Sequence, residues 1–497
     1  MCIRNRGFTW IVLGFMFAIA ALGFGRVKSN FFPDSTRPQF MVHLWMPEGS
    51  SIHATEQRVE RISAELRRLE GVTGVTGITG CGGLRFLLTY GPEDMNSSYG
   101  IMFVDVESDR QIAGLMERIN DRAQTLVPDA LVYCQRFVLG PGDAQKIQMR
   151  IMGPDAEVLR EFAERVIAVM REDPRLVEIQ SDWRNRVDRI EPVIAEDRSR
   201  KLGMTRADIA EAFRCAVEGV TVGAYHENDE SLPIVIRAPE PERSDPDSIL
   251  SAWAWSNVLN SSVPLAQVVS GFSNESEESR VKRRNRLPCI TVKCNTTGET
   301  ASEAFARIRP KLEDIGSSLP TGFIYEWGGE YESSQNANSG LSGKIPPIIV
   351  VMVLITIALF NSFRQAAVIF MTLPLVLIGV TAGLLGFGQP FGFMALLGLL
   401  SLVGMQIKNA IVLIDEINAQ MAAGVGGFDA VVMAGVTRLR PVVNASLTTI
   451  LGMMPLVADA FYAAMAVTIM CGLAFATVMT MIVVPVNYAL IYRIKAS

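Results

Sequence analysis

The chain has 497 residues, 49% of them hydrophobic, with a mean hydropathy of +0.26. A wholly soluble protein of this length seldom reads so apolar, so membrane-crossing segments are expected. The formal net charge of −5 gives no hint of nucleic acid as a partner.

The apolar residues come in runs. The first, GFTWIVLGFMFAIAALGFGRV, follows Arg4 and Arg6. It is close to the roughly 20 residues that cross a bilayer and lacks a small-x-small cleavage site, so it reads as a retained helix rather than a signal peptide. Next, QFMVHLWMP (39–47) alternates like a strand, and Ile52, Val59, Ile62, Leu66 and Leu69 follow at helical spacing. Strands over Val72–Ile78 and Tyr99–Val106, a helix over Arg110–Leu126 and a strand over Leu131–Val138 complete a βαββαβ, ferredoxin-like unit.

A second copy opens at Lys146 with the strand KIQMRIM, a helix over Glu157–Met170 and a strand over Leu176–Ser181. It resumes at Cys289–Cys294, with a helix near Ala301–Leu312 and a strand over Phe323–Trp327. The insert between, residues 186–286, holds a helix capped by Thr205 and Asp208 and a hairpin around His226–Glu230. The insert ends in a basic run, Arg280 to Arg286, which suits a solvated face or a contact with acidic groups.

Enzyme signatures are missing. No G-x-x-x-x-G-K-S/T or G-x-S-x-G occurs, so neither P-loop ATP chemistry nor a serine nucleophile is expected. The glycine-rich GVTGVTGITGCGG (71–83) is spaced by β-branched residues and reads as strand and loop. The seven cysteines show no disulfide or zinc spacing, and Cys289 and Cys294 point to opposite faces of one strand. His43, His53 and His226 sit in unrelated contexts, so no histidine metal site is expected. The 23 methionines read mainly as flexible apolar filler in the spans.

Five further spans crowd the C-terminal part: Ile345–Phe363, Ala366–Gly388, Phe393–Ile414, Pro441–Ala458 and Met465–Ile491. Arg4, Arg6, Arg364, Arg438, Arg440, Arg493 and Lys495 fall on one side if the helices alternate, which puts both termini in the cytoplasm. The stretch from Lys28 to Gly343 then faces a bacterial periplasm. Within FGFMALLGLLSLVGMQIKNAIVLI sits Lys408, a charge that costs about 2.5–3.5 kcal/mol at mid-bilayer. Its i±3 and i±4 neighbours, Met405, Ile411, Gly404 and Val412, cannot neutralise it. Asp415 shares its face but lies about 10 Å away along the axis. Either water or another bundle must supply the counter-charge.

GMQIKNAIVLIDEI, RLRPVVNASLTTILGMMPL, FNSFRQAAVIFMTLPLVLIGVTAGLL and MAVTIMCGLAFATVMTMIVVPV resemble the second half of the RND (resistance–nodulation–division) multidrug efflux transporters. NFFPDSTRPQFMVHLWMPEGSSIHATE resembles the segment after their seventh transmembrane helix. The resemblance runs end to end. It implies a membrane α-helical bundle of six helices plus an α+β periplasmic domain of ferredoxin-like βαββαβ repeats with an inserted docking subdomain. The implied divisions are a transmembrane helix (1–28), a first porter subdomain (29–142), a second in two parts (143–185 and 287–343), a docking-like insert (186–286) and five transmembrane helices (344–497).

Function follows from the same resemblance. In the family, the lysine of the KNAI motif pairs with two aspartates of the first half, so Lys408 takes the counter-charge role in a proton relay. Asn409, Arg438, Asn444 and Ser446 join it as relay residues, and the family's relay threonine aligns with Ala445 here. Phe86, Tyr90 and Phe103 bracket the loop GPEDMNSS and suit a substrate cleft for small amphiphilic compounds. Implied too are a proton motive force in place of ATP or any cofactor, an inner-membrane location and a homotrimer. The implied partners are the other half of the permease, a periplasmic adaptor and an outer-membrane channel. Two alternatives share these features. One is heavy-metal cation export, for which Met95 and Met102 are the nearest cleft methionines. The other is a non-transporting membrane-anchored export accessory of the same superfamily, whose external domain is much smaller.

Overall fold

In the computed structural model, residues 3–140, 145–243 and 249–494 are described. Lys495, one of the topology-setting cations, lies outside them, as does the expected boundary at residues 142 and 143. The chain divides into two compact units, one made of Met1–Arg184 and Arg280–Ser497 and the other of Asn185–Ser279.

The first unit opens with α1 (Arg6–Phe24) and then builds a βαββαβ layer from β1 (Gln39–Trp45), α2 (Ile52–Leu66), β2 (Val72–Thr79), β3 (Tyr99–Val106), α3 (Ile112–Leu126) and β4 (Leu131–Arg136). The strands are antiparallel in the order β2-β3-β1-β4, which makes β1 a central strand. One face of β1 presents Phe40, Val42 and Leu44 to Val59, Ile62 and Leu66 of α2 and Leu115 and Ile119 of α3. The other presents Met41, His43 and Trp45, of which Met41 and Trp45 pack with Tyr99, Phe103 and Tyr133. Period-two alternation therefore splits one strand between a helix-covered core and an aromatic face.

The second copy runs β5 (Ile147–Met152), α4 (Ala156–Arg171) and β6 (Leu176–Ser181), then β7 (Leu287–Thr296), α5 (Ala301–Ser317) and β8 (Ile324–Gly328). Its order, β6-β7-β5-β8, repeats that of the first layer. Asp155 caps α4, and a full capping box of Thr300 and Glu303 starts α5, so both helices begin where their first backbone donors find oxygen. Trp183 is fully buried and donates Nε1–H to the Cys289 carbonyl at 2.8 Å. The basic run is partitioned on folding. Asn285 and Arg286 adopt left-handed φ values of 52° and 71°, reversing the chain between Arg283–Arg284 and Leu287–Pro288. Arg284 then reaches Glu326 at 3.0 Å and Glu332 at 3.2 Å, so its acidic partners belong to this chain.

The other unit, described by itself, pairs Arg186–Ile194 with Val269–Glu278 and holds the Thr205–Asp208 capping box at the start of Arg206–Val217. Its hairpin, Val220–Glu227 with Glu230–Ile236, exposes Val222, Tyr225, Leu232 and Ile234.

Among the described residues, six helices are long and apolar enough to cross a membrane: Arg6–Phe24, Gly329–Phe360, Phe363–Phe387, Phe393–Ala422, Gly427–Ala458 and Ala463–Ile491. The second is longer than its apolar run predicts. A polar stretch, α6 (Gly329–Ser342), leads into α7 (Ile345–Phe360), because a turn already formed by the apolar segment removes the nucleation cost. The third is broken into α8 (Phe363–Phe370) and α9 (Val376–Phe387) by a tight turn at Leu373–Leu375 that contains Pro374. The last three are α10 (Phe393–Ala422), α11 (Gly427–Met453) and α12 (Ala463–Ile491).

Helices α9, α10 and α12 form the packed centre. Gly379 and Gly383 of α9 face Cys471, Gly472 and Phe475 of α12, and Gly472 in turn faces Leu402 of α10. This small-xxx-small spacing lets backbones approach closely, the usual means of helix association where lipid removes a hydrophobic drive. In contrast, α1, the Gly329–Phe360 helix and the Gly427–Ala458 helix have only 11%, 6% and 11% of their apolar windows buried. Their apolar flanks are open.

Candidate functional site

Two places gather chemistry, one in the membrane and one in the extramembrane layers.

In the membrane, α10 carries Lys408. Its neighbours Gln406, Ile407, Asn409 and Ala410 are buried against the bundle, whereas Lys408 is exposed, with no ion pair among the described residues. Asp415 is exposed too, two turns further on. Among the described residues, no hydrogen bond or ion pair joins Lys408 to the other expected relay residues. Arg438 of α11 instead binds Glu416 of α10, its Nε and Nη2 each 2.8 Å from Oε2, while Gln420 donates to Oε1 at 2.8 Å. Glu416 lies eight residues beyond Lys408, about 12 Å along the axis. Ser446 is buried with its Oγ 2.7 Å from Thr477 Oγ1 of α12, and Asn444 and Ala445 are exposed. Asn409 is buried.

Sequence reasoning missed Glu416, because a pair between residues 22 apart on two helices leaves no periodic mark. It also missed the amides inside the bundle. Gln406 donates to Thr480 Oγ1 at 2.6 Å, and Gln365 and Asn418 exchange hydrogen bonds at 2.9 and 3.1 Å.

In the extramembrane layers, Phe86, Tyr90 and Phe103 do come together. Phe86 lies 5.2 Å from Tyr90 and 5.3 Å from Phe103, centroid to centroid, and Arg37 caps the Phe86 ring at 5.6 Å. Phe137, just past β4, completes the group at 5.8 Å from Phe86. Phe86 is 47% exposed, whereas Tyr90 and Phe103 are buried. Tyr90 lines a cleft of about 190 Å³ with Met41, His43, Glu93, Tyr133 and Phe137. The two methionines expected nearest the cleft are not there. Met102 is fully buried on the helix-facing side of β3, one residue out of phase with Phe103, and Met95 is exposed. Met41 of β1 is the methionine that lines it.

His43 is set in the cleft wall by a hydrogen bond between Nδ1 and Tyr99 Oη at 2.8 Å and by stacking on Tyr133 at 4.9 Å. Nε2 has no hydrogen-bond partner among the described residues. Burial pushes its pKa down to about 4, so the ring is neutral at ordinary pH. The unfolded chain binds a proton near pH 6.5 that the folded chain refuses. Stability from this group is therefore complete above pH 6.5 and lost as pH falls to 4, by up to about 3 kcal/mol. Unfolding followed by tryptophan fluorescence is expected to show this loss between pH 6.5 and 4, and His43→Gln is expected to flatten the profile. An unchanged slope in the variant would assign the loss to other groups.

A second, smaller cleft continues from the first through Glu93, Tyr133, Gln145 and Lys293, and is lined further by Trp45, Arg184 and Arg280. Arg184 stacks over Trp45 at 4.8 Å, and Arg280 lies over the same ring at 6.0 Å. Among the described residues, no group of three or more His, Cys, Asp or Glu side chains could hold a metal ion.

Known proteins share this plan. The chain is 25% identical over 365 residues to the cobalt-zinc-cadmium resistance protein CzcA of Cupriavidus metallidurans, covering 71% of this chain and 34% of that one. It is 26% identical over 403 residues to the nickel and cobalt resistance protein CnrA of the same organism, covering 77% and 37%. Multidrug export protein AcrF of Escherichia coli is 22% identical over 489 residues, covering 95% and 46%. The chain thus spans less than half the length of these relatives. A crystal structure of a heavy metal efflux pump superposes with a TM-score of 0.80 at 21% identity, over 99% of this chain and 52% of that one, a likeness of fold. The AcrB/AcrD/AcrF family, whose members are proton-driven RND transporters rather than enzymes and need no ATP, matches residues 1–492, and this multi-pass membrane chain belongs to it.

Proposed function

We propose that this chain works as one half of a proton-driven export permease in a bacterial inner membrane, with both termini cytoplasmic. The observation that carries this reading is Lys408, a cation on an apolar helix, exposed on its bundle and without an ion pair among the described residues. Such a charge needs a carboxylate from elsewhere, and the open flanks of α1, α7 and α11 leave room for a second bundle. Protonating that carboxylate would weaken its hold on Lys408 and shift the packing of α10. One proton moving down 100 mV supplies about 2.3 kcal/mol for this. Arg438, held by Glu416, would tie α11 to the same movement, while Asn409, Asn444 and Ser446 are supporting positions.

The two βαββαβ layers, 29–142 and 143–185 with 287–343, serve as porter subdomains in this proposal, and cargo passes the cleft that Phe86, Tyr90 and Phe103 adjoin. Residues 186–286 serve as a docking element for a periplasmic adaptor and an outer-membrane channel, in a homotrimer.

For the cargo, the metal-resistance names of CzcA and CnrA support heavy-metal cations over amphiphilic drugs. Met41 and His43 in the cleft wall offer soft and borderline donors, consistent with such cations. The test is growth of a sensitive host carrying this chain with its other half, on zinc, cobalt, nickel or cadmium and on amphiphilic drugs. Several-fold higher tolerance to the metals alone is expected. Tolerance raised only for the drugs would overturn the cation reading and leave the permease reading standing.

A further inference from the structure

The smaller cleft is charged in an unexpected way for a path taken by bare cations. Four of its lining side chains are cationic, Arg184, Arg280, Lys282 and Lys293, against two carboxylates, Glu93 and Asp182. Asp182 is already engaged: Oδ1 accepts from the Thr291 amide at 2.7 Å, and Oδ2 lies 3.7 Å from Lys282. Glu93 is exposed. Arg184, whose side chain is only 13% exposed, pairs loosely with Glu48 at 3.9 Å and donates Nη2–H to the Met46 carbonyl at 3.2 Å, while its Nε has no hydrogen-bond partner among the described residues. Arg280 and Lys293 are half-buried with no ion pair among the described residues. Arg280 and Lys293, partly desolvated and without counter-ions among the described residues, make a local field for an anion, because low-dielectric walls focus it. The adjoining cleft adds an apolar wall of Met41, Tyr90 and Phe137. Its volume of about 190 Å³ exceeds the ~150 Å³ cavity that accepts benzene.

We propose that these joined clefts bind a small organic carboxylate, with its anionic head between Arg280, Lys293 and Arg184 and its body against Tyr90 and Phe137. The purpose assigned to the site, cargo capture, rests on the export reading. The carboxylate could come as a free organic anion or as the anionic chelate of a metal, and the chemistry recognised is the same. Trp45 fits this role, since its ring holds both arginines in the wall and orients their forks for carboxylate oxygens.

The test is calorimetric titration of the full chain in lipid nanodiscs, with no proton gradient, so that a failure here is separable from a failure of export. The probes are 1-naphthoate, its neutral analogue 1-naphthylmethanol, citrate and zinc citrate. Naphthoate is expected to bind about tenfold more tightly than the alcohol, the value of one charge-assisted hydrogen bond. Arg280→Gln and Lys293→Gln should each remove most of that preference and leave the alcohol unchanged, and added salt should do the same. Zinc citrate binding more tightly than citrate and naphthoate identifies the chelate as the source. The reverse order identifies the free anion. Equal affinity for naphthoate and the alcohol, a preference that survives both substitutions, or no binding of any probe overturns the proposal.

Discussion

Lys408→Ala, produced together with the carboxylate-bearing half, is expected to abolish proton-coupled export while leaving the protein in the membrane at normal levels. The side chain is exposed on α10 and has no ion pair among the described residues, so deleting it breaks no contact described within this chain. Removing an ammonium from an apolar span also removes a cost of insertion. What disappears is the opposite charge that makes protonation of a facing carboxylate consequential. Lys408→Arg keeps the charge but replaces a compact ammonium with a planar fork, so poor rescue is expected. The measurement is substrate efflux from energised cells with and without a protonophore. Export by Lys408→Ala at the wild-type rate would show the lysine to be a structural anchor only. Glu416→Gln is the instructive contrast, because it unpairs Arg438 without touching Lys408.

The second large effect is structural. Gly379→Leu is expected to destroy the packed centre of the bundle. Even a Cβ at this position would lie 2.6 Å from Phe475 Cβ, 2.8 Å from the Cys471 carbonyl oxygen and 3.0 Å from Gly472 Cα. Two of those atoms are backbone, so α9 and α12 must separate rather than rearrange a side chain. Overpacking of this kind costs about 1–3 kcal/mol where side chains can yield, and more where they cannot. Gly386→Leu, on the same helix with nothing within 4 Å of its Cβ, is the matched control. Size-exclusion profiles and thermal midpoints in detergent should show an aggregated or unfolded Gly379→Leu beside a native-like Gly386→Leu. Equal behaviour of the two would mean that the α9–α12 contact does not hold the bundle together.

The fold was largely legible because its signals are local. Hydropathy marked all six spans, alternation marked β1, and Thr205 with Asp208 announced the helix that they cap. The polar α6 escaped notice because its sequence, GEYESSQNANSGLS, has no apolar stripe, and only continuity with α7 makes it helical. The candidate sites were less legible, since each depends on a distance between elements. Lys408 could be singled out from one helix alone. Its outward direction required the packing of α10 against α12, and the Glu416–Arg438 pair required two helices. Phe86, Tyr90 and Phe103 flank one loop and could be grouped from sequence, but Phe137 joins them only because β4 lies beside β1. The choice of Met102 went astray on parity, since Phe103 and Met102 are adjacent in the chain and opposite in the sheet, and Met95 lies exposed in the loop before β3.

The parity of β1 bears on how such a protein can change over generations. Phe40, Val42 and Leu44 answer to the helices behind the sheet, while Met41, His43 and Trp45 answer to whatever occupies the cleft. Selection on the cleft wall can therefore act on the odd-numbered positions of a single strand while the even-numbered ones continue to specify the helix-covered core. An exchange of Met41 or His43 thus remodels the cleft wall at the expense of the aromatic cluster around Tyr99 and Tyr133, and leaves the helix-covered core as it was.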